Sequence, residues 1–166
     1  VNAIHQKANF KLVILDNAVT AMTGQQHNPS SPHDTEDSGQ QRIDLEALLK
    51  GLGIKDLTVI DPYQIKDTPA ILKEAFSRPG IGVVVSRRDC ALYGDRNKRK
   101  KGMPIVPNQV DKATCKRIYA CVKDFYCPAI SLDGDRQASI ARELCDGCMK
   151  CSKLCPITAI KTTGGA

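Results

Sequence analysis

"CDGCMKCSKLCP", residues 145–156, sets four cysteines at C-x2-C-x2-C-x3-C and closes on a proline. Thiolate sulfur is the ligand that iron–sulfur clusters require, and spacings this short let one loop wrap a cluster. Zinc sites favour paired C-x2-C knuckles set further apart. The run therefore reads as a 4Fe–4S motif. In two-cluster proteins the fourth cysteine of such a run ligates the other cluster, so further ligands must stand elsewhere in the chain.

They stand upstream. "CKRIYACVKDFYCP", residues 115–128, ends on the same Cys-Pro and reads as the same motif with Ile118 in place of its second cysteine. Crossing the fourth ligands groups Cys127, Cys145, Cys148 and Cys151 as one complete site. Cys115, Cys121 and Cys155 form a second site that is one cysteine short. Isoleucine cannot ligate iron, so the second site is expected to hold a 3Fe–4S cluster, recruit a non-cysteine ligand or stay empty. "CPAISL" (127–132) echoes "CPITAI" (155–160), the internal repeat of a pseudo-symmetric two-cluster ferredoxin module, and "DGD" (133–135) supplies a turn between the halves.

The other cysteine, Cys90, stands apart in "SRRDCAL" and reads as a small buried residue. Seven of the eight cysteines cluster between Cys115 and Cys155, which favours a reducing setting over a disulfide scaffold. No apolar run approaches the length of a membrane span. The expectation is a soluble, cytoplasmic protein that uses no membrane. The formal charge is +6, with much of the excess in "RNKRKKG" (96–102). No aromatic residues interleave with these charges, so a solvated loop is expected and no nucleic-acid partner. The same run could also dock an acidic protein.

Before the cysteines, strand and helix signals alternate. "KLVILDN" (11–17) reads as a buried parallel strand, "LTVID" (57–61) as a second and "GIGVVVSRR" (80–88) as a third. Between them, "RIDLEALLKGLG" (42–53) has the apolar spacing of an amphipathic helix that stops at glycine. "DTPAILKEAFSR" (67–78) reads as a helix capped by Asp67 or Thr68, with Pro69 in its first turn. This order predicts an α/β sheet. A Gly-, Pro-, Ser- and His-rich loop is expected from Gly24 to Gln41, and "GMPIVPNQ" (102–109) reads as a linker. The expected domains are 1–105 and 106–166. "VNAIHQKAN" at the start reads as the end of a helix, so a longer parent polypeptide is expected.

"LDNAVTAMTGQQ" (15–26) follows the first strand directly. In open α/β sheets, ligands bind beyond the carboxyl ends of strands. Magnesium takes oxygen ligands and often bridges to phosphates. The Asn17 side chain with a backbone carbonyl two residues later would suit a magnesium diphosphate.

The order "LDNAVTAMTG", "VVVSRRDCAL", "CPAI" and "CDGCMKCSKLCP" resembles the C-terminal part of the large subunit of indolepyruvate:ferredoxin oxidoreductases, within the 2-oxoacid:ferredoxin oxidoreductase family. The resemblance implies part of a thiamine-diphosphate-binding doubly wound sheet, followed by a small α+β two-cluster ferredoxin-like domain. It implies decarboxylation of a 2-oxoacid to acyl-CoA, with thiamine diphosphate, Mg2+ and clusters as cofactors. Ferredoxin, a second (beta) subunit and coenzyme A are the implied partners, and aryl pyruvates the implied substrates. It makes Asn17 and Val19 magnesium ligands, through side chain and carbonyl respectively, and sets Thr20, Met22, Thr23 and Gly24 near the cofactor. The family's cluster pattern usually has a cysteine where Ile118 stands. A different reading of the same features is a non-catalytic iron–sulfur electron-transfer module.

Overall fold

A computed structural model describes residues 1–31 and 42–163, and the end of the expected 24–41 loop lies outside them. The chain divides into two compact units, Val1–Gly94 and Asp95–Ala166.

In the first unit a single turn of helix, α1 (Asn2–His5), precedes β1 (Lys11–Asp16). Then come α2 (Leu45–Gly51), β2 (Asp56–Ile60), α3 (Thr68–Ser77), β3 (Gly82–Arg87) and the start of α4 (Ala91–Lys100). The three strands form one parallel sheet in the order β1-β3-β2. Because side chains alternate along a strand, the central β3 serves both faces. Val83 and Val85 pack with Leu49 of α2, and Val84 packs with Ala75 of α3. Each of these valines is at least 98% buried, which contributes about 1.5–3 kcal/mol per side chain.

Helix α2 begins later than its apolar spacing suggests, because the Asp44 carboxylate accepts from the Glu46 and Ala47 amides at 2.9 and 3.1 Å. It stops where Gly53 takes a left-handed φ of +94°. Asp67 does occupy the position before α3, but makes no capping bond with its side chain. The Thr68 hydroxyl instead donates to the Gln64 carbonyl at 2.9 Å.

Strand β1 departs from the expected buried strand. Among the described residues it has a partner on one side only, and Leu12, Val13 and Leu15 are exposed, Leu15 to 75%. The basic run is also not a loop. It is the C-terminal half of α4, where Lys98, Arg99 and Lys100 stand at the negative end of the helix dipole.

The second unit is built from short pieces: β4 (Asn108–Val110), α5 (Ala120–Lys123), β5 (Ile130–Leu132), β6 (Ala138–Ile140), α6 (Lys150–Leu154) and β7 (Ile160–Thr162). Strand, cysteine loop, helix and strand occur twice. β4 pairs antiparallel with β7, and β5 with β6 across the Asp133–Asp135 turn. The linker expected over 102–109 therefore ends in a strand. The core here is small and includes two cysteines, with Cys121 and Cys151 buried beside Ala138 and Ile160. A core of this size gains most from a staple such as a bound cluster.

Candidate functional site

Two groups of candidate residues emerge, one in each unit. At the carboxyl end of β1, Asn17 turns the chain. Its side-chain oxygen accepts from the Val19 amide at 3.3 Å, across Ala18 in the left-handed region at φ 64°. Its own carbonyl accepts from the Cys90 amide at 3.0 Å, which ties the turn to the end of β3. Thr20 then bridges to Gln26, and the Thr23 hydroxyl donates to the Gln26 side chain at 2.7 Å. Asn17, Val19, Thr20, Thr23 and Gly24 thus share one closed loop, whereas Met22 at its tip is fully exposed. Cys90 is half-buried and heads α4, so it is not the core residue expected from the sequence.

A charged cluster that the sequence reading missed lies next to this loop. Asp16 is buried and accepts from Arg87 at 2.8 Å, and Arg87 also reaches Glu46 at 2.8 Å. With Arg42 and Asp44 they line a cleft of about 350 Å³ beside the strand ends. The signal was present in the register: Asp16 and Arg87 are the last residues of adjacent parallel strands and sit opposite one another.

In the second unit, the cysteines whose charges raise the three most buried thiols fall into two sets. Burial pushes the Cys121 thiol up, and Cys155 and Cys115 add to it. Burial pushes Cys151 up to about 11, with Cys148 and Cys145 adding and a bond from Asn108 opposing. Burial also raises Cys148, and Cys127 is among the charges that add to it. A charge on Cys127 thus acts on the later run, and one on Cys155 on the earlier run.

The first set shares an apolar cavity. Cys115, Cys121 and Cys155 line it with Ile118, Val110 and Ala138, and the space inside is about 20 Å³. No group of three or more His, Cys, Asp or Glu among the described residues is gathered closely enough to hold a single metal ion. Thiols that ligate a cluster stand around its corners, so that observation bears on single ions. Backbone amides point at the sulfurs: Asn108 N–H lies 3.3 Å from Cys145 Sγ, and Ala159 N–H 3.4 Å from Cys155 Sγ. Thiol donors with amide hydrogen bonds and an apolar surround fit an iron–sulfur cluster.

The family model for thiamine pyrophosphate enzymes, C-terminal TPP binding domain, matches residues 1–86. The chain belongs to that family. Residues 1–86 hold β1, β2, β3 up to Ser86 and the Asn17 loop, whose oxygen groups are of the kind that suits a cation beside a diphosphate. An amide oxygen carries two lone pairs, so Asn17 can accept from Val19 and still face a cation.

The curated relatives extend the likeness beyond the family domain. The chain is 36% identical over 97% of its length to "Indolepyruvate oxidoreductase subunit IorA" of Archaeoglobus fulgidus. It is 40% identical over 96% to the protein of that name in Thermococcus kodakarensis, and 37% over 96% to that in Pyrococcus horikoshii. It spans about a quarter of the length of these relatives, 25% in each case. No solved structure matches the chain. Among the described residues, no helix is long and apolar enough to cross a membrane.

Proposed function

We propose that this chain is part of a cytoplasmic 2-oxoacid:ferredoxin oxidoreductase acting on aryl pyruvates. The observation that carries the reading is the union in one chain of a thiamine pyrophosphate domain with the four-cysteine run 145–155 and the cavity that Cys115, Cys121 and Cys155 share. It is supported by relatives named indolepyruvate oxidoreductase that align across both parts.

Bound thiamine diphosphate would supply the electron sink that lets a 2-oxoacid lose carbon dioxide. The residues of this chain have simpler tasks. Asn17 Oδ1 and the Val19 carbonyl would hold Mg2+, and Thr20, Met22, Thr23 and Gly24 would lie near the cofactor's diphosphate and thiazolium. The fixed turn at Ala18 orients the Asn17 oxygen before any cation arrives. Asp16, paired with Arg87, keeps the strand end polar and its carboxylate held away from the Asn17 turn.

Cys127, Cys145, Cys148 and Cys151 would hold a 4Fe–4S cluster, and Cys115, Cys121 and Cys155 a second, incomplete one. The second domain, 106–166, would then be the ferredoxin-like carrier of electrons singly from the 2-oxoacid to ferredoxin, with acyl-CoA as product. An open cleft of about 460 Å³ lined by Arg99, Arg142 and Glu143 reaches Cys145, an approach of net positive charge that suits an acidic carrier. A beta subunit would complete the substrate pocket.

The test is the full-length protein with its partner subunit, supplied with thiamine diphosphate, Mg2+, coenzyme A and ferredoxin. Indolepyruvate and phenylpyruvate should each drive coenzyme-A-dependent ferredoxin reduction, with pyruvate far slower. If none of the three 2-oxoacids loses carbon dioxide while the clusters still cycle, the chain is a non-catalytic electron-transfer module instead.

A further inference from the structure

Asn108, the first residue of β4, is 2% exposed, and no local signal in the sequence marks it. Its main-chain N–H lies 3.3 Å from Cys145 Sγ and its Nδ2 lies 3.6 Å from Cys151 Sγ. Its Oδ1 is buried and has no partner, the one such side-chain atom among the described residues. Stranding a buried oxygen is unfavourable, because it loses its water without gaining a donor. A thiolate can only accept, so the amide must turn its nitrogen toward the sulfur. The stranded oxygen is what that orientation leaves behind.

The internal repeat supplies a comparison. The interval from Asn108 to Cys115 equals that from Ala138 to Cys145, so Ala138 is the counterpart of Asn108 in the other half. Ala138 lines the cavity of Cys115, Cys121 and Cys155 and has no side-chain donor. The two thiol sets therefore differ in one buried hydrogen bond as well as in the Ile118 gap.

We infer that Asn108 raises the reduction potential of the cluster held by Cys127, Cys145, Cys148 and Cys151. This rests on the reading above that those cysteines hold one. Reduction adds one electron to the cluster and breaks no bond. The electron comes from 2-oxoacid oxidation and leaves to ferredoxin. Part of the added charge falls on the thiolate sulfurs, and an N–H pointed at a sulfur stabilises it, so the reduced form is favoured. Asn108 thus favours the reduced form of this cluster and acts through the cysteines as a positioning residue.

The test is a redox titration of the full-length enzyme and its partner subunit, followed by the EPR signal of the reduced cluster. Asn108→Leu removes the donor while keeping the branched shape and the number of heavy atoms, and Asn108→Asp keeps the shape while adding negative charge. Both should retain wild-type iron and sulfide and titrate at a more negative potential, Asp more so than Leu. If Leu disturbs assembly, the Asp variant decides. A full cluster with an unshifted or more positive potential overturns the inference, as does loss of the cluster in both variants, which would make Asn108 purely structural. Wild-type enzyme that binds no cluster at these four cysteines overturns the underlying reading, and the inference with it.

Discussion

Gly147 passes beneath the carbonyl oxygen of Val106 so closely that a Cβ at position 147 would overlap that oxygen. The residue lies between Cys145 and Cys148 with φ +69°, in the left-handed region. In the other half of the repeat, Arg117 takes the same conformation at φ 56° without being glycine. Backbone conformation alone therefore does not demand glycine at 147. The overlying carbonyl does.

Gly147→Ala is accordingly expected to displace the loop that carries Cys145 and Cys148. The left-handed conformation alone would cost about 1–3 kcal/mol, and the steric overlap adds to it. Iron and acid-labile sulfide per chain should fall together with thermal stability, whereas Arg117→Ala should change neither much. Wild-type iron content in the glycine variant would contradict the expectation.

A charge on Cys127 pushes the Cys148 thiol up, although Cys127 closes the earlier run. Cys127→Ala and Cys148→Ala should therefore abolish the same EPR signal. Cys155→Ala should leave that signal in place and affect the site of Cys115 and Cys121. The reverse pattern would show that the fourth ligands do not cross.

Ile118 lines one small apolar cavity with Cys115, Cys121 and Cys155. Ile118→Cys should complete a four-thiolate set and increase iron by about one atom per chain, since cubane clusters take four cysteine ligands. Anomalous scattering at the iron edge counts the atoms. Four irons at this site before the substitution would mean that another group already fills the corner.

Asn17 Oδ1 already folds back on Val19 N–H, so removing it loosens the turn as well as deleting a cation donor. Asn17→Ala in the full-length protein should abolish 2-oxoacid decarboxylation with cluster content unchanged. Calorimetry should show weakened thiamine diphosphate binding in the presence of Mg2+. Unchanged binding would rule the ligand role out.

Asp111 accepts from the Thr114 hydroxyl at 2.7 Å, from the Thr114 amide at 3.2 Å and from Lys161 at 3.2 Å. The Thr114 hydroxyl, then its amide, then Lys161 hold the carboxyl down at about 2. A depressed acid stabilises the fold above its unfolded pKa of about 3.9 and loses that contribution as pH falls through the folded value. Acid unfolding of the cysteine unit should thus steepen between about pH 4 and pH 2. Asp111→Asn should lower stability at neutral pH and flatten that acid limb, as followed by circular dichroism. An unaltered acid limb in the variant would remove Asp111 from the account.

Features whose cause is local were legible in the sequence. The apolar runs at 11–17, 57–61 and 80–88 became three parallel strands, because a short continuous apolar run bounded by polar residues marks a buried strand without knowledge of the partner. The repeated Cys-Pro runs marked two equivalent halves, since thiol spacing is itself the signal. The helix over the basic run was not legible. "ALYGDRNKRK" lacks a wide apolar stripe, and its helix rests on good helix formers and on burial of Tyr93 alone.

Whatever depends on elements distant in the chain was left to the tertiary structure. Periodicity cannot say that β3 rather than β1 lies in the centre, so the exposure of Leu12 and Leu15 came only with the strand order. Nor can spacing reveal that Asn108 reaches Cys151, or that Val106 covers Gly147. Those contacts arise because β4 and the chain leading into it pack against the Cys145–Cys151 loop, and a hydrogen bond or a clash acts over a few ångströms of space, whatever the distance along the chain.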